Sequence, residues 1–261
     1  MRALVPLWLA LALPAAAHAQ ADSPGSPGSV DWQRKVVKCT GLGAPNLKEA
    51  GGNVAVARIG AERAAKMDAL RNCMETLRGA SIRTGETVGS ELASDAGLKS
   101  RVEGLVRGFR VVGAPRYFSD GGVELDVEVP IDGALSEALL PKADAAQAAP
   151  VPAADKGTGL LVDARGLKVT PALAPRILDP AGRELYGPAV LAPEARRQGG
   201  AAYARSVDGA KKELAARLGE RPLVIKAARA QGADLVIDAA GAKELEGQKF
   251  LTEGRVVIVT D

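Results

Sequence analysis

Histidine is nearly absent from this chain of 261 residues, which has one, His18, close to the N-terminus. If the leader that contains it is removed, no imidazole remains for general-base catalysis or metal ligation. Aromatic residues make up 3% of the sequence, three Phe, three Tyr and two Trp. That leaves few ring faces on which bases or sugars could stack. Two cysteines cannot make a zinc quartet. No G-x-S-x-G elbow, H-E-x-x-H helix or EF-hand run occurs, so neither an enzyme nor a cofactor is expected. The formal charge is +3, with no basic excess of the kind that marks a nucleic-acid binder. Beyond the leader, no apolar run reaches the roughly 18 residues needed to span a bilayer.

The first residues carry a clear address. Met1 and Arg2 precede an apolar stretch from Ala3 to Leu13, then Pro14 and a small-residue run ending in Ala17-His18-Ala19. Positive start, apolar core and an A-x-A site in that order describe a cleavable secretory signal over residues 1–19. A lipid anchor would need cysteine at the cleavage point, where Gln20 stands. The expectation is an unlipidated periplasmic or secreted protein with no transmembrane segment after cleavage.

Residues 20–29, rich in Pro, Gly and Ser, read as a flexible leader. Residues 30–140 read as a βαββ domain. Val36, Val37 and Cys39 lie on a strand ending at Thr40. A helix from Asn53 to Arg78 follows, with Ile59, Met67, Leu70, Met74 and Leu77 on its apolar face. Glu62 is spaced to pair with Arg58 or Lys66, and Arg71 with Glu75. A short helix is expected around Glu91 to Leu98, then a hairpin of Arg101 to Tyr117 and Val123 to Val129 about the turn Asp120-Gly121-Gly122. The Ala/Pro-rich segment 141–156 reads as a linker between two separately folding units. Residues 157–261 alternate strands and helices: Leu160-Leu161-Val162, Leu167 to Leu178, a return near Leu185, a helix from Asp208 to Leu218, then strands at Leu223 to Ala227, Leu235 to Ile237 and Arg255 to Thr260. The fold class is α+β in both halves.

Three groups invite a chemical reading. Gly41-Leu42-Gly43 follows a strand, but Asn46 stands where a dinucleotide turn needs its third glycine, so the segment reads as a loop. Glu124, Asp126 and Glu128 alternate along one strand face, and such a row is ordinarily solvated; paired carboxylates keep a hydrolase among the alternatives. Their hairpin partner carries Arg101, Arg107, Arg110 and Arg116, which could meet the acids across the ladder. Cys39 on the strand and Cys73 on the helix are either two buried thiols or a disulfide, and an oxidising compartment favours the bond.

The segment Gly41-Leu42-Gly43-Ala44-Pro45-Asn46, the helix from Asn53 to Asn72 and the later Arg107-Gly108-Phe109 with Val123 to Pro130 resemble the LPP-twenty family of bacterial envelope proteins. The same stretch is similar to the N-terminal domain of flagellar assembly protein T. The resemblance spans about residues 30–131 and implies a non-enzymatic envelope protein, often lipid-anchored and in some members flagellum-associated. The function expected is a structural or assembly component of the cell envelope acting through protein–protein contacts, with envelope proteins as partners and self-association among them. The alternatives are a module binding peptidoglycan or another envelope polymer and, behind it, a carboxylate-dependent envelope hydrolase using carboxylates of the second domain.

Overall fold

A computed structural model of the chain describes residues 27–140 and 156–261. The expected signal peptide and almost all of the expected linker lie outside the described residues. The first half starts with β1 (Gly28–Asp31), β2 (Val36–Gly43) and the long helix α1 (Val54–Gly79). A small ribbon, β3 (Ser81–Arg83) with β4 (Glu86–Thr87), leads to α2 (Val88–Ser94) and α3 (Ala96–Val106). The hairpin of β5 (Arg110–Tyr117) and β6 (Val123–Pro130) and then α4 (Gly133–Leu139) complete it. The sheet runs β1-β2-β6-β5, antiparallel throughout.

The α1 helix starts where Asn53 accepts hydrogen bonds from the amides of Ala55 and Val56, satisfying two of the free donors of its first turn. Its buried face matches the expected one in part: Leu77 is buried and Leu70 and Met74 pack against the core. Ile59 is 51% exposed and Met67 65%, whereas Ala57, Ala61, Ala65, Ala69, Cys73 and Leu77 are buried. Residue size misleads at Ile59 and Met67, because over Gly41 and Gly43 the strand leaves room only for alanine. Gly41 and Gly43 lie in β2, not in a loop, and a Cβ on Gly41 would stand 2.1 Å from Ala65 O. A Cβ on Gly43 would stand 1.9 Å from Ala61 O. Alanine above and glycine below let the two backbones touch. Asn72, also buried, fixes the register by donating from Nδ2 to Thr40 O at 2.8 Å.

Three boundaries shift from the sequence reading. The leader expected over residues 20–29 overlaps the sheet at its end, because Gly28 and Ser29 pair with Cys39 and Lys38. The stretch expected as one short helix is two, broken at Asp95, which ends α2 and whose carboxylate caps Leu98 N in α3. The α3 helix extends to Val106, so the strand expected from Arg101 begins at Arg110.

The second half contains β7 (Leu160–Asp163), β8 (Ile177–Leu178), β9 (Glu184–Tyr186), α5 (Pro193–Arg197), β10 (Ala202–Ala204), α6 (Val207–Glu213) and α7 (Ala215–Leu218). It ends with β11 (Leu223–Gln231), β12 (Asp234–Ile237), α8 (Ala239–Leu245), α9 (Lys249–Thr252) and β13 (Val256–Val259). Seven strands are ordered β10-β13-β7-β11-β12-β8-β9; β10, β13, β7 and β11 are mutually parallel. Leu161, Val257 and Val259 pack with Ala210 and Leu218 on one face. Leu160, Val162, Val256 and Ile258 join the main core with Ala242, Leu245 and Phe250 on the other. Strands β7 and β13 are buried on both sides, which is why they read as unbroken apolar runs.

The main core continues from the first half into the second without a break. Leu173 and Ala174 amides donate to Ser81 O and Ile82 O at 3.0 and 2.7 Å. Trp32 meets Tyr203 edge to face, their ring centroids 5.9 Å apart. Ser136 Oγ donates to Arg196 O, and Thr84 Oγ1 to Gln231 O.

Two outcomes follow from this packing. Gly41→Ala or Gly43→Ala should cost about 1–3 kcal/mol, the usual range for overpacking, measured by urea denaturation; an unchanged midpoint would contradict the backbone contact. Protease cutting within residues 141–155 should leave fragments that co-elute and melt in one transition; fragments that separate without denaturant would show that the shared core is not binding them.

Candidate functional site

Cys39 and Cys73 join β2 to α1 through a disulfide, with Cα atoms 5.5 Å apart and 34 positions separating them in sequence. Both are buried, so the bond staples the helix over the sheet it already touches. The chain-entropy model assigns a loop of this length about 3–4 kcal/mol. The first half is therefore a stiff platform.

Exposed apolar side chains gather at one end of that platform. Leu42 leaves the end of β2, Leu47 stands in the loop before α1, and Val54, Val56 and Ile59 occupy the outer side of its first turns. Tyr117 and Phe118 stand where β5 enters the hairpin turn, and Phe118 is 50% exposed. The loop and the turn meet directly: Pro45 lies where a Cβ on Gly121 would contact it at 3.2 Å. Tyr117 is held from two sides, donating to Glu62 Oε1 at 2.7 Å while the Arg58 guanidinium sits 3.6 Å from its ring centroid. Glu62 thus holds the tyrosine, and Arg71 pairs with Asp68 on its own helix rather than with Glu75. Sequence reasoning missed this end because its members come from four segments and share no spacing.

The acidic row on β6 is committed to arginines. Glu128 is 5% exposed and accepts from Arg34 Nη1 at 2.7 Å and from Arg110 Nη2 at 2.7 Å. Asp126 is gripped by both terminal nitrogens of Arg116 and accepts from Thr40 Oγ1. Glu124 takes the Arg116 Nε at 2.5 Å. Arg110 and Arg116 thus cross the ladder, while Arg101 and Arg107 do not belong to the strand. The Arg34 hydrogen bond, then that of Arg110, holds the Glu128 carboxyl below its ordinary range; Arg116 does the same for Asp126. These carboxylates bind their neighbours and form no open pair for hydrolysis.

Among the described residues, no group of three or more His, Cys, Asp or Glu could hold a metal ion, and no helix is long and apolar enough to cross a membrane. A cleft of about 470 Å³ lies beside Lys211, Ala215, Gly219, Glu220, Arg221 and Pro222, with lining charges of both signs.

A lowered carboxyl pKa stabilises the folded state above the unfolded value, near 4.3 for Glu, and that contribution disappears as pH falls through the folded value. Glu128→Gln should therefore cost about 1–3 kcal/mol at pH 7 and progressively less below about pH 4. Urea midpoints against pH would show the two curves converge in acid; parallel curves would contradict the ion-pair account.

Residues 159–261 match the family described as Treponema pallidum Tp0624, second domain. No curated protein matches the chain. The matched region covers the second half from just before β7 to the last residue given, leaving the apolar end of the first half outside the match.

Proposed function

We propose that this protein is an exported, non-enzymatic component of the bacterial cell envelope that works by holding other proteins. The observation that carries the reading is the apolar end of the first half, where Leu42, Leu47, Val54, Tyr117 and Phe118 stand exposed on a disulfide-stapled support. Exposed apolar side chains that cluster mark interaction surfaces more often than scattered ones do. A rigid support reduces the ordering cost a partner must overcome. The buried disulfide supports the oxidising compartment that the N-terminal sequence implies. The resemblance to LPP-twenty proteins favours the envelope over the culture medium, and the flagellar association of some members is the narrower form of the same reading.

A photo-crosslinking residue placed at Phe118 or Val54 should trap discrete protein adducts in intact cells, whereas the same residue at Arg229, on β11 in the other half, should trap few. Equal adduct patterns at the two places would overturn the assignment of the surface. Co-sedimentation with purified peptidoglycan that survives Phe118→Asp would overturn the protein-binding reading in favour of the polymer-binding one.

A further inference from the structure

The solvent side of α1 carries more apolar surface than a helix packed on one sheet needs. Val56, Gly60, Arg63, Met67, Leu70 and Met74 follow one another at steps of four and three residues, so they run along one side of the helix. The far part of this line is covered, since Leu70 and Met74 pack against the core. Both α2 and α3 lie against α1, and α2 reaches its last turn, where a Cβ on Gly89 would stand 3.0 Å from Arg78 O. The near part is bare: Val56 and, beside it, Ile59 are each 51% exposed, and Met67 is 65% exposed. Steps of four and three average to the 3.5-residue repeat at which one helix packs along another. The bare part thus has the spacing of a helix seam without a second helix on it.

Gly60 adds to this. Glycine inside a helix is destabilising relative to alanine, and the fold gives no reason for one here. Gly60 is exposed in regular helix, and a Cβ on it would meet nothing within 4 Å. At Gly41 and Gly43 the missing side chains admit α1; at Gly60, with exposed Ala64 one turn on, the missing side chain leaves the helix backbone open to a neighbour from outside the chain.

The free charges along the line are of one sign. Arg63 lies on it and Lys66 beside it, both exposed, and neither makes an ion pair or a side-chain hydrogen bond among the described residues. The acids next to them are engaged, Glu62 by Tyr117 and Asp68 by Arg71. A second copy of the chain seated on this face would bring two sets of these cations together, which disfavours self-pairing.

We propose that this line on α1 is the seat of one amphipathic helix of a partner protein, with its apolar side on Val56, Ile59 and Met67, its acidic residues against Arg63 and Lys66, and its backbone closest at Gly60. The proposal rests on the protein-holding reading above and specifies the partner's chemistry. The apolar contacts supply affinity and the charges select the partner.

A fluorescent synthetic peptide of about 18 residues, with leucines at steps of three and four and glutamates flanking them, is the probe. It should bind the protein at least about tenfold more tightly than the same peptide with lysines in place of the glutamates. Arg63→Glu combined with Lys66→Glu should reverse that preference. Gly60→Leu should weaken binding of the glutamate peptide by a similar factor while the protein melts no lower, because the new side chain enters open space. Equal binding of the two peptides, or binding of neither, overturns the proposal, as does glutamate-peptide binding that Gly60→Leu leaves unchanged. Flotation with phosphatidylglycerol vesicles that Arg63→Glu abolishes would give the face to a lipid surface, and a dimer that Met67→Glu dissolves would give it to a second copy; either result overturns it. A photo-crosslinking residue at Met67 should trap in intact cells the adducts trapped from Val54. Adducts from Val54 and Phe118 with none from Met67 overturn the helix seat alone, whereas none from any of the three removes the wider reading with it.

Discussion

The direct contact between the backbone of α1 and that of β2 is the constraint on which the first half depends. At Gly41 and Gly43 the strand has no side chain to hold the helix away, and Ala61 and Ala65 bring carbonyls down onto it. With so thin an interface, the hydrophobic gain per residue is small. The contact is instead secured by polar and covalent means: Asn72 to the Thr40 carbonyl, and Cys73 to Cys39. A helix lying this low also cannot cover the full width of the sheet. The outermost strand, β5, stays largely exposed, and Tyr117 must be held by Arg58 and Glu62 instead of by a core. The exposed apolar end is therefore a consequence of close packing elsewhere.

The opposite face of the same sheet is maintained by charge. Arg34 and Arg110 converge on Glu128, and Arg116 spans Glu124 and Asp126, so the strands are bound side to side where no helix covers them. Exposed pairs contribute little singly, but a carboxylate as buried as Glu128 would be costly without both arginines. Meanwhile α4 and the turn at Lys35 bring this half against the Gln198–Gly199 segment and α5 of the other, and the apolar cores merge there.

Much of this architecture was legible in the sequence. The Asn53 cap, the alternation of β6 and the uninterrupted apolar strands of the second half each have one physical cause that leaves a local pattern. Where the reading slipped, the cause was nonlocal. The face of α1 was assigned by residue size, although the glycines of β2, far away in sequence, select alanine. The helix expected from Asp208 to Leu218 is interrupted at Leu214, where the chain leaves helical geometry between α6 and α7. The run from Leu167 to Leu178 yields only two residues of strand, because Ala172, Leu173 and Ala174 are buried at the junction with the first half. Of the candidate surface, Tyr117 and Phe118 were visible only as a strand end.

The longest strand of the second half divides its loyalties. Leu223 to Lys226 of β11 pair with β7, and Ala227 to Gln231 pair with β12, with no residue registered to both. The strands β10, β13 and β7 on one side and β12, β8 and β9 on the other are thus spliced end to end along a single chain segment, as two planks are joined by a lap. Ladder bonds run across a strand rather than along it. Tension applied along β11 therefore loads the bonds of both ladders in shear, all together instead of one after another, and the splice resists pulling better than either sheet would resist peeling. The seam that looks weakest in the strand order is thus the one along which the two ladders act together.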